Sequence, residues 1–230
     1  MTYKLIPNIL KTKQKKISTS LIYARIINIF LLFILLLLSC TTKIKNSDLI
    51  FVDTGNDSFS LAIKKVTPKY NDSIHFTHVG IIIEKNKKFF VLEALPTKGV
   101  ILSEINEFIN RYNKQKIYIG KIKKNYFFPT MQEIQNYLGK PYDYIFNINN
   151  DSFYCSELVY FFYKEKNNKY LFNLKPMTFK DPETKNFFPI WVNYFKKFGV
   201  KIPEKMPGIN PADIANSNFI NLYHINKIKF

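Results

Sequence analysis

The chain has 230 residues, 47% hydrophobic and 17% aromatic, enough to bury a full core as one domain once any processed segment is removed. Its formal charge of +17 is partly local: residues 1–39 carry six Lys/Arg and no acid, and without them 28 basic residues face 17 acidic ones. This excess comes with no arginine cluster, no nucleic-acid motif and no basic helix with interleaved aromatics, so no nucleic-acid partner is expected.

The N-terminus opens with a basic region, followed by Ile26 to Leu38, thirteen residues interrupted only by Asn28. A run of that length suits a signal peptide, since a spanning helix needs about 20 apolar residues. The run closes on Leu37-Leu38-Ser39-Cys40, which resembles the bacterial lipobox. That resemblance implies that residues 1–39 are removed, that Cys40 is diacylated, and that residues 40–47 tether a domain spanning 48–230 to a membrane of the bacterial cell envelope. The alternative is an uncleaved signal anchor with Arg25 at its cytoplasmic edge. Lipidation of Cys40 would leave Cys155 as the free thiol.

Asp48 to Val52 reads as a buried strand ending in the turn Asp53-Thr54-Gly55-Asn56-Asp57, and Leu61 to Val66 as a short helix. Phe76 to Glu84 is a β-branched strand containing His78; Lys85 to Lys88 turn the chain, and Lys88 to Ala94 return as the partner strand. With a two- to four-residue turn, position 93 falls opposite positions 78 to 80, which brings Glu93 within reach of His78. Gly99 to Ser103 is a further strand, Glu104 to Tyr112 an amphipathic helix, and Lys116 to Ile122 another strand. Thr130 to Leu138 reads as a helix closed by Gly139, and residues 139–144 as a loop. Beyond Lys164 the pattern is less regular: a helix over Phe187 to Phe198, a helical turn from Pro211, and a closing strand from Phe219 to Ile225.

The candidate chemistry centres on the stretch from Ser152 to Phe162. Leu158, Val159, Phe161 and Phe162 repeat at helical spacing, with Asp151 and Ser152 as expected N-cap residues, so Cys155 sits in the opening turn. A helix N-terminus favours thiolate over thiol and supplies N–H groups for an adjacent oxyanion. A thiolate nucleophile needs a base, and the base needs a third group to orient it; His78 and Glu93 fill those roles. His75 lies on the loop side of the same strand and His224 in a polar-apolar alternation near the C-terminus, so His78 is the better base. His75 and His78 lack companion ligands at metal spacing, and no glycine-rich phosphate loop is present, so neither metal nor cofactor is expected.

Taken together, Asp48-Leu49-Ile50-Phe51, Thr77-His78-Val79-Gly80-Ile81, Leu92-Glu93-Ala94, Tyr142-Asp143 and Tyr154-Cys155-Ser156-Glu157-Leu158-Val159 resemble the successive motifs of the YiiX/YebB-like cysteine hydrolases. These form the circularly permuted branch of the NlpC-type papain-like superfamily, in which the histidine strand precedes the cysteine helix. The resemblance spans Asp48 to Tyr163. It implies an α+β fold, an antiparallel sheet packed against the helix bearing the cysteine, with Cys155, His78 and Glu93 as a catalytic triad. By the same resemblance Tyr154 and Tyr142 line the substrate cleft, the alternative being aromatic packing, and the segment from Pro176 to Phe230, where the resemblance weakens, reads as a cover that shapes the cleft. The implied activity is amide hydrolysis through a thioester, on a cell-wall peptide or a related small acylated peptide. A lipid acyltransferase or thioesterase at the membrane, and a non-catalytic envelope binding protein, are the alternatives.

Overall fold

The computed structural model describes residues 42–229, together with residues 27 and 28. Cys40 and nearly all of the expected signal segment lie outside the described residues. From Thr42 onward the chain is one compact unit.

Its centre is an antiparallel sheet in the order β5-β4-β3-β2-β6-β9. The strands are β2 (Leu49–Val52), β3 (His78–Lys85), β4 (Lys88–Leu95), β5 (Gly99–Glu104), β6 (Ile117–Ile122) and β9 (Ile220–His224), while β7 (Lys175–Pro176) and β8 (Pro207–Gly208) pair with each other apart from it. Leu49-Ile50-Phe51-Val52 has no polar position because β2 lies inside the sheet with both faces covered. Leu49 and Phe51 point into one core with Val79, Ile81 and Ile83 of β3. Ile50 and Val52 point into a second core with Ile82.

Each face is closed by a different helix. The first core receives α4 (Cys155–Phe162) through Leu158, Val159 and Phe162, all at most 1% exposed. Burying side chains of this size contributes roughly 1.5–3 kcal/mol each, and three on one helix face fix its height above the sheet. The second core receives α2 (Ile105–Arg111) through Ile105 and Phe108. A third, largely aromatic cluster of Ala62, Phe179, Trp191 and Phe195 joins α1 (Ser58–Val66) to α5 (Pro189–Lys197). Helix α3 (Met131–Gln135) is shorter than the expected Thr130 to Leu138 span. Thr130 caps it in a reciprocal pair with Glu133, and the residues after Gln135 leave the helix in turns. The last helical turn, α6 (Pro211–Ala215), and strand β9 lie where the sequence indicates.

Residues 42–47, expected as a free tether, are part of the body. Strand β1 (Thr42–Lys43) pairs with β10 (Ile228–Lys229), Ile44 is 6% exposed, and Ser47 N donates to Ile82 O at 2.8 Å. The physical reason is that β10 gives them a strand to pair with and the second core takes Ile44, while Lys121 Nζ, which also pairs with Asp48 at 2.7 Å, donates to the Lys43 carbonyl at 2.6 Å.

Candidate active site

The cysteine helix begins at Cys155, and its N-cap is Tyr154 rather than Asp151 or Ser152. The preceding residues are held elsewhere. Asp151 pairs with Lys140, Ser152 N donates to Asn150 Oδ1 at 2.8 Å, and Phe153 bridges to Tyr142 through bonds from Phe153 N to Pro141 O (3.0 Å) and from Asp143 N to Phe153 O (3.2 Å). Leu158 N, bonded to Tyr154 O at 3.1 Å, makes the first helical bond. The N–H groups of residues 155–157 therefore have no carbonyl to meet within the helix.

The loop entering this helix is pinned to β5. Val100 N donates to Lys140 O at 2.9 Å, and Gly99, at φ +68°, lies so close that a Cβ there would stand 2.1 Å from that oxygen. Only glycine satisfies both the left-handed backbone and the approach.

His78 is the first residue of β3 and is 5% exposed; Glu93, on β4, is 0% exposed. Ile81 pairs with Leu92, so the continued register sets Gly80 opposite Glu93 and His78 two positions along on the same face. His78 Nε2 donates to Glu93 Oε2 at 2.8 Å, which leaves Nδ1 for the Cys155 sulfur. Two residues absent from the sequence reading complete the carboxylate's shell: Ser103 Oγ donates to Glu93 Oε1 at 2.6 Å and Arg111 Nη1 to the same oxygen at 2.7 Å. Arg111 Nη2 also reaches Ser103 Oγ at 3.1 Å. The signal available in the sequence was general: a glutamate on an apolar strand needs a cation, and Arg111 ends the next helix along. The rings of Phe108 and Tyr112 flank the imidazole, each with its centroid 6.1 Å away.

Burial pushes the Cys155 thiol up, yet the hydrogen bond and charge of His78, with the Val79 and Ser156 N–H groups, outweigh it and hold the thiol below its ordinary value. Burial likewise works against charge on His78, and its bonds to Cys155 and Glu93 reverse that, holding the imidazole well above its ordinary value. Glu93 is desolvated too, but His78, Ser103 and Arg111 keep it below the usual carboxylate range. All three shifts favour one state, thiolate–imidazolium–carboxylate.

The thiol and imidazole open into a cleft of about 610 Å³. Tyr142 and Tyr154 both line it, in different ways. The Tyr154 hydroxyl accepts from Ile209 N at 3.2 Å and the residue is 4% exposed, so it presents a wall. Tyr142 is only partly buried, and burial together with the nearby sulfur holds its hydroxyl well above the ordinary tyrosine value, so it stays protonated. Residues from the C-terminal third, including Met177, Trp191 and Ile209, complete the walls. Of the other histidines, His75 is half-buried on the loop before β3, and His224 sits on edge strand β9 opposite Tyr118. Among the described residues no three His, Cys, Asp or Glu side chains are grouped to hold a metal ion.

Comparison with known proteins agrees with this architecture. Residues 43–223 match the model of a family described as permuted papain-like amidase enzymes, YaeF/YiiX, the C92 family. The uncharacterized protein YiiX of Escherichia coli K12 is 30% identical over 125 residues, which is 52% of this chain and 57% of that protein. The crystal structure of the metalloprotein yiiX from Escherichia coli O157:H7 is 23% identical, covers 79% of this chain and 97% of its own, and has a TM-score of 0.58. The match to the family model spans nearly the whole compact unit, and the chain belongs to the permuted papain-like amidases, a family of hydrolases.

Proposed function

We propose that this chain cleaves an amide through an acyl-enzyme, with Cys155 as nucleophile, His78 as proton shuttle and Glu93 as the group that orients the imidazole. The observation that carries the reading is an imidazole that bonds to a buried, doubly supported carboxylate and acts on the Cys155 thiol, with both His78 and Cys155 lining a cleft. The thiolate attacks the carbonyl carbon, and the carbonyl electrons move onto oxygen beside the free N–H groups of the helix start. As that oxyanion collapses, the C–N bond breaks and the leaving nitrogen takes the proton from His78. Neutral His78 then accepts a proton from water as the water oxygen attacks the thioester. The carboxylic acid product leaves, and the thiolate–imidazolium pair is restored.

The solved relative's title calls it a metalloprotein. Here the Glu93 oxygens are already held by His78, Ser103 and Arg111, and among the described residues no third ligand joins Cys155 and His78, so these residues do not fit a metal.

The proposed substrate is a cell-wall peptide or a related small acylated peptide, presented to an enzyme that Cys40 anchors in the cell envelope. A second reading, hydrolysis or transfer of a lipid acyl group, draws support from the cleft walls, where Phe59, Ile63, Phe146 and Phe179 are apolar. Incubation of the purified protein with peptidoglycan fragments and, separately, with phospholipid vesicles tests both. New amine termini from the peptides, lost in Cys155→Ala, support the amidase; acyl transfer or free fatty acid from the vesicles supports the second reading. Neither product from either substrate, with a thiol no more reactive than free cysteine, would leave a binding protein.

A further inference from the structure

Glu157 is the buried acid that this mechanism leaves unused. It is 0% exposed, two residues after the nucleophile in the first turn of the same helix. Its Oε2 accepts from Tyr154 N at 3.1 Å, while Oε1 is buried with no partner. Among the described residues no Lys or Arg pairs with it. Glu93 has the same burial and the opposite surroundings: a guanidinium, a hydroxyl and an imidazole all donate to it. Asp143, 1% exposed on the loop before the helix, accepts from Ile145 N at 2.9 Å and Asn147 N at 2.6 Å. Glu157 alone of the three is placed to be neutral, because a buried charge with one neutral donor and no cation is the costlier state.

We infer that Glu157 is a positioning residue that works in its protonated form, fixing the Tyr154 N–H, and with it the nucleophile at the first helical position, without setting a second negative charge against the thiolate. The inference rests on the thiolate reading of Cys155. Burial, reinforced by Asp143 and the sulfur, holds the Glu157 carboxyl up at about 8. The titratable groups around it are Tyr154 and Cys155 on its own helix start and Asp143 on the loop. The strands beneath the helix contribute apolar Val79, Ile81, Leu92 and Ala94, with His78 bonded to the sulfur. A raised acid is protonated below its pKa, so the carboxyl is neutral at pH 7. As pH rises past about 8 it ionises and sets a second negative charge beside the sulfur and the imidazolium.

The test compares Cys155 alkylation by iodoacetamide against pH in the wild-type protein, Glu157→Gln and Glu157→Ala, alongside the infrared carboxyl region. Gln keeps the acceptor and stays neutral, so its rate at pH 7 should lie within about threefold of wild type, whereas Ala, which frees the Tyr154 N–H, should slow it by about tenfold or more. Ionisation of the carboxyl above about pH 8 adds a negative charge beside the pair, so the His78 imidazolium, followed by NMR of its ring protons, should lose its proton at a higher pH in the wild type than in Glu157→Gln. A protonated-carboxyl band present at neutral pH, bleaching over the same range and missing in Glu157→Gln, would identify the proton even if the Ala variant does not fold. Absence of that band in the folded wild type, or a Gln variant whose imidazolium titrates as in the wild type, would overturn the inference. Alkylation indifferent to His78→Ala, with the band still present, would instead sink the thiolate reading.

Discussion

Arg111 Nη1 stands 2.7 Å from Glu93 Oε1, so the carboxylate that meets the imidazole is compensated from its far side. Arg111→Met would leave a fully buried anion with Ser103 and His78 alone. The expected cost is ~1.5–3 kcal/mol, the worth of a hydrogen bond to a charged group, read as a lower urea midpoint at unchanged slope. Arg111→Lys should recover only part of it, because one ammonium cannot reproduce the fork that meets Glu93 and Ser103 from two nitrogens.

The pH dependence of turnover and of thiol reactivity follows from the two opposed shifts. With the thiol lowered and the imidazole raised, amide cleavage, which needs both thiolate and imidazolium, should run over a plateau between them, while alkylation, which needs the thiolate alone, should fall only at the acid side. In His78→Ala only burial remains to act strongly on the sulfur, which raises it. Alkylation at pH 6 should drop by at least about tenfold and recover only at alkaline pH. A variant that keeps the wild-type profile would refute the pair.

Gly80 lies between the strands that carry the site. A Cβ there would meet Val91 Cγ1 at 2.4 Å and Ile50 Cγ2 at 3.3 Å. Gly80→Ala should cost ~1–3 kcal/mol by overpacking, measured as a lowered melting temperature. Adding Val91→Ala should return part of that loss, since the two changes share one space.

The anchor is tested by metabolic labelling with a fatty acid. The label expected on the wild-type protein should vanish in Cys40→Ala, and its persistence would reject lipidation at that position.

What could be read without coordinates was local. The His78 to Glu93 hairpin has a short turn between two largely apolar runs, so proximity of those two residues follows from strand geometry alone. The cysteine helix is equally plain from its apolar spacing. Its starting residue was not, because Phe153 is drawn into a bridge with Tyr142 and keeps the backbone extended past both expected caps. Arg111 and Ser103 escaped notice because they reach Glu93 from the following helix and the neighbouring strand, and no fixed spacing encodes that meeting. Residues 42–47 were misread because their polarity hides Ile44, the one side chain among them that enters the second core.

The two helices that serve the site pack on opposite faces of the sheet. Arg111 ends the one remote from the cysteine, and 30% of its side chain reaches water. A guanidine-directed reagent such as phenylglyoxal therefore has a way to blunt the thiol from the rear, without ever competing for the pocket a substrate would occupy.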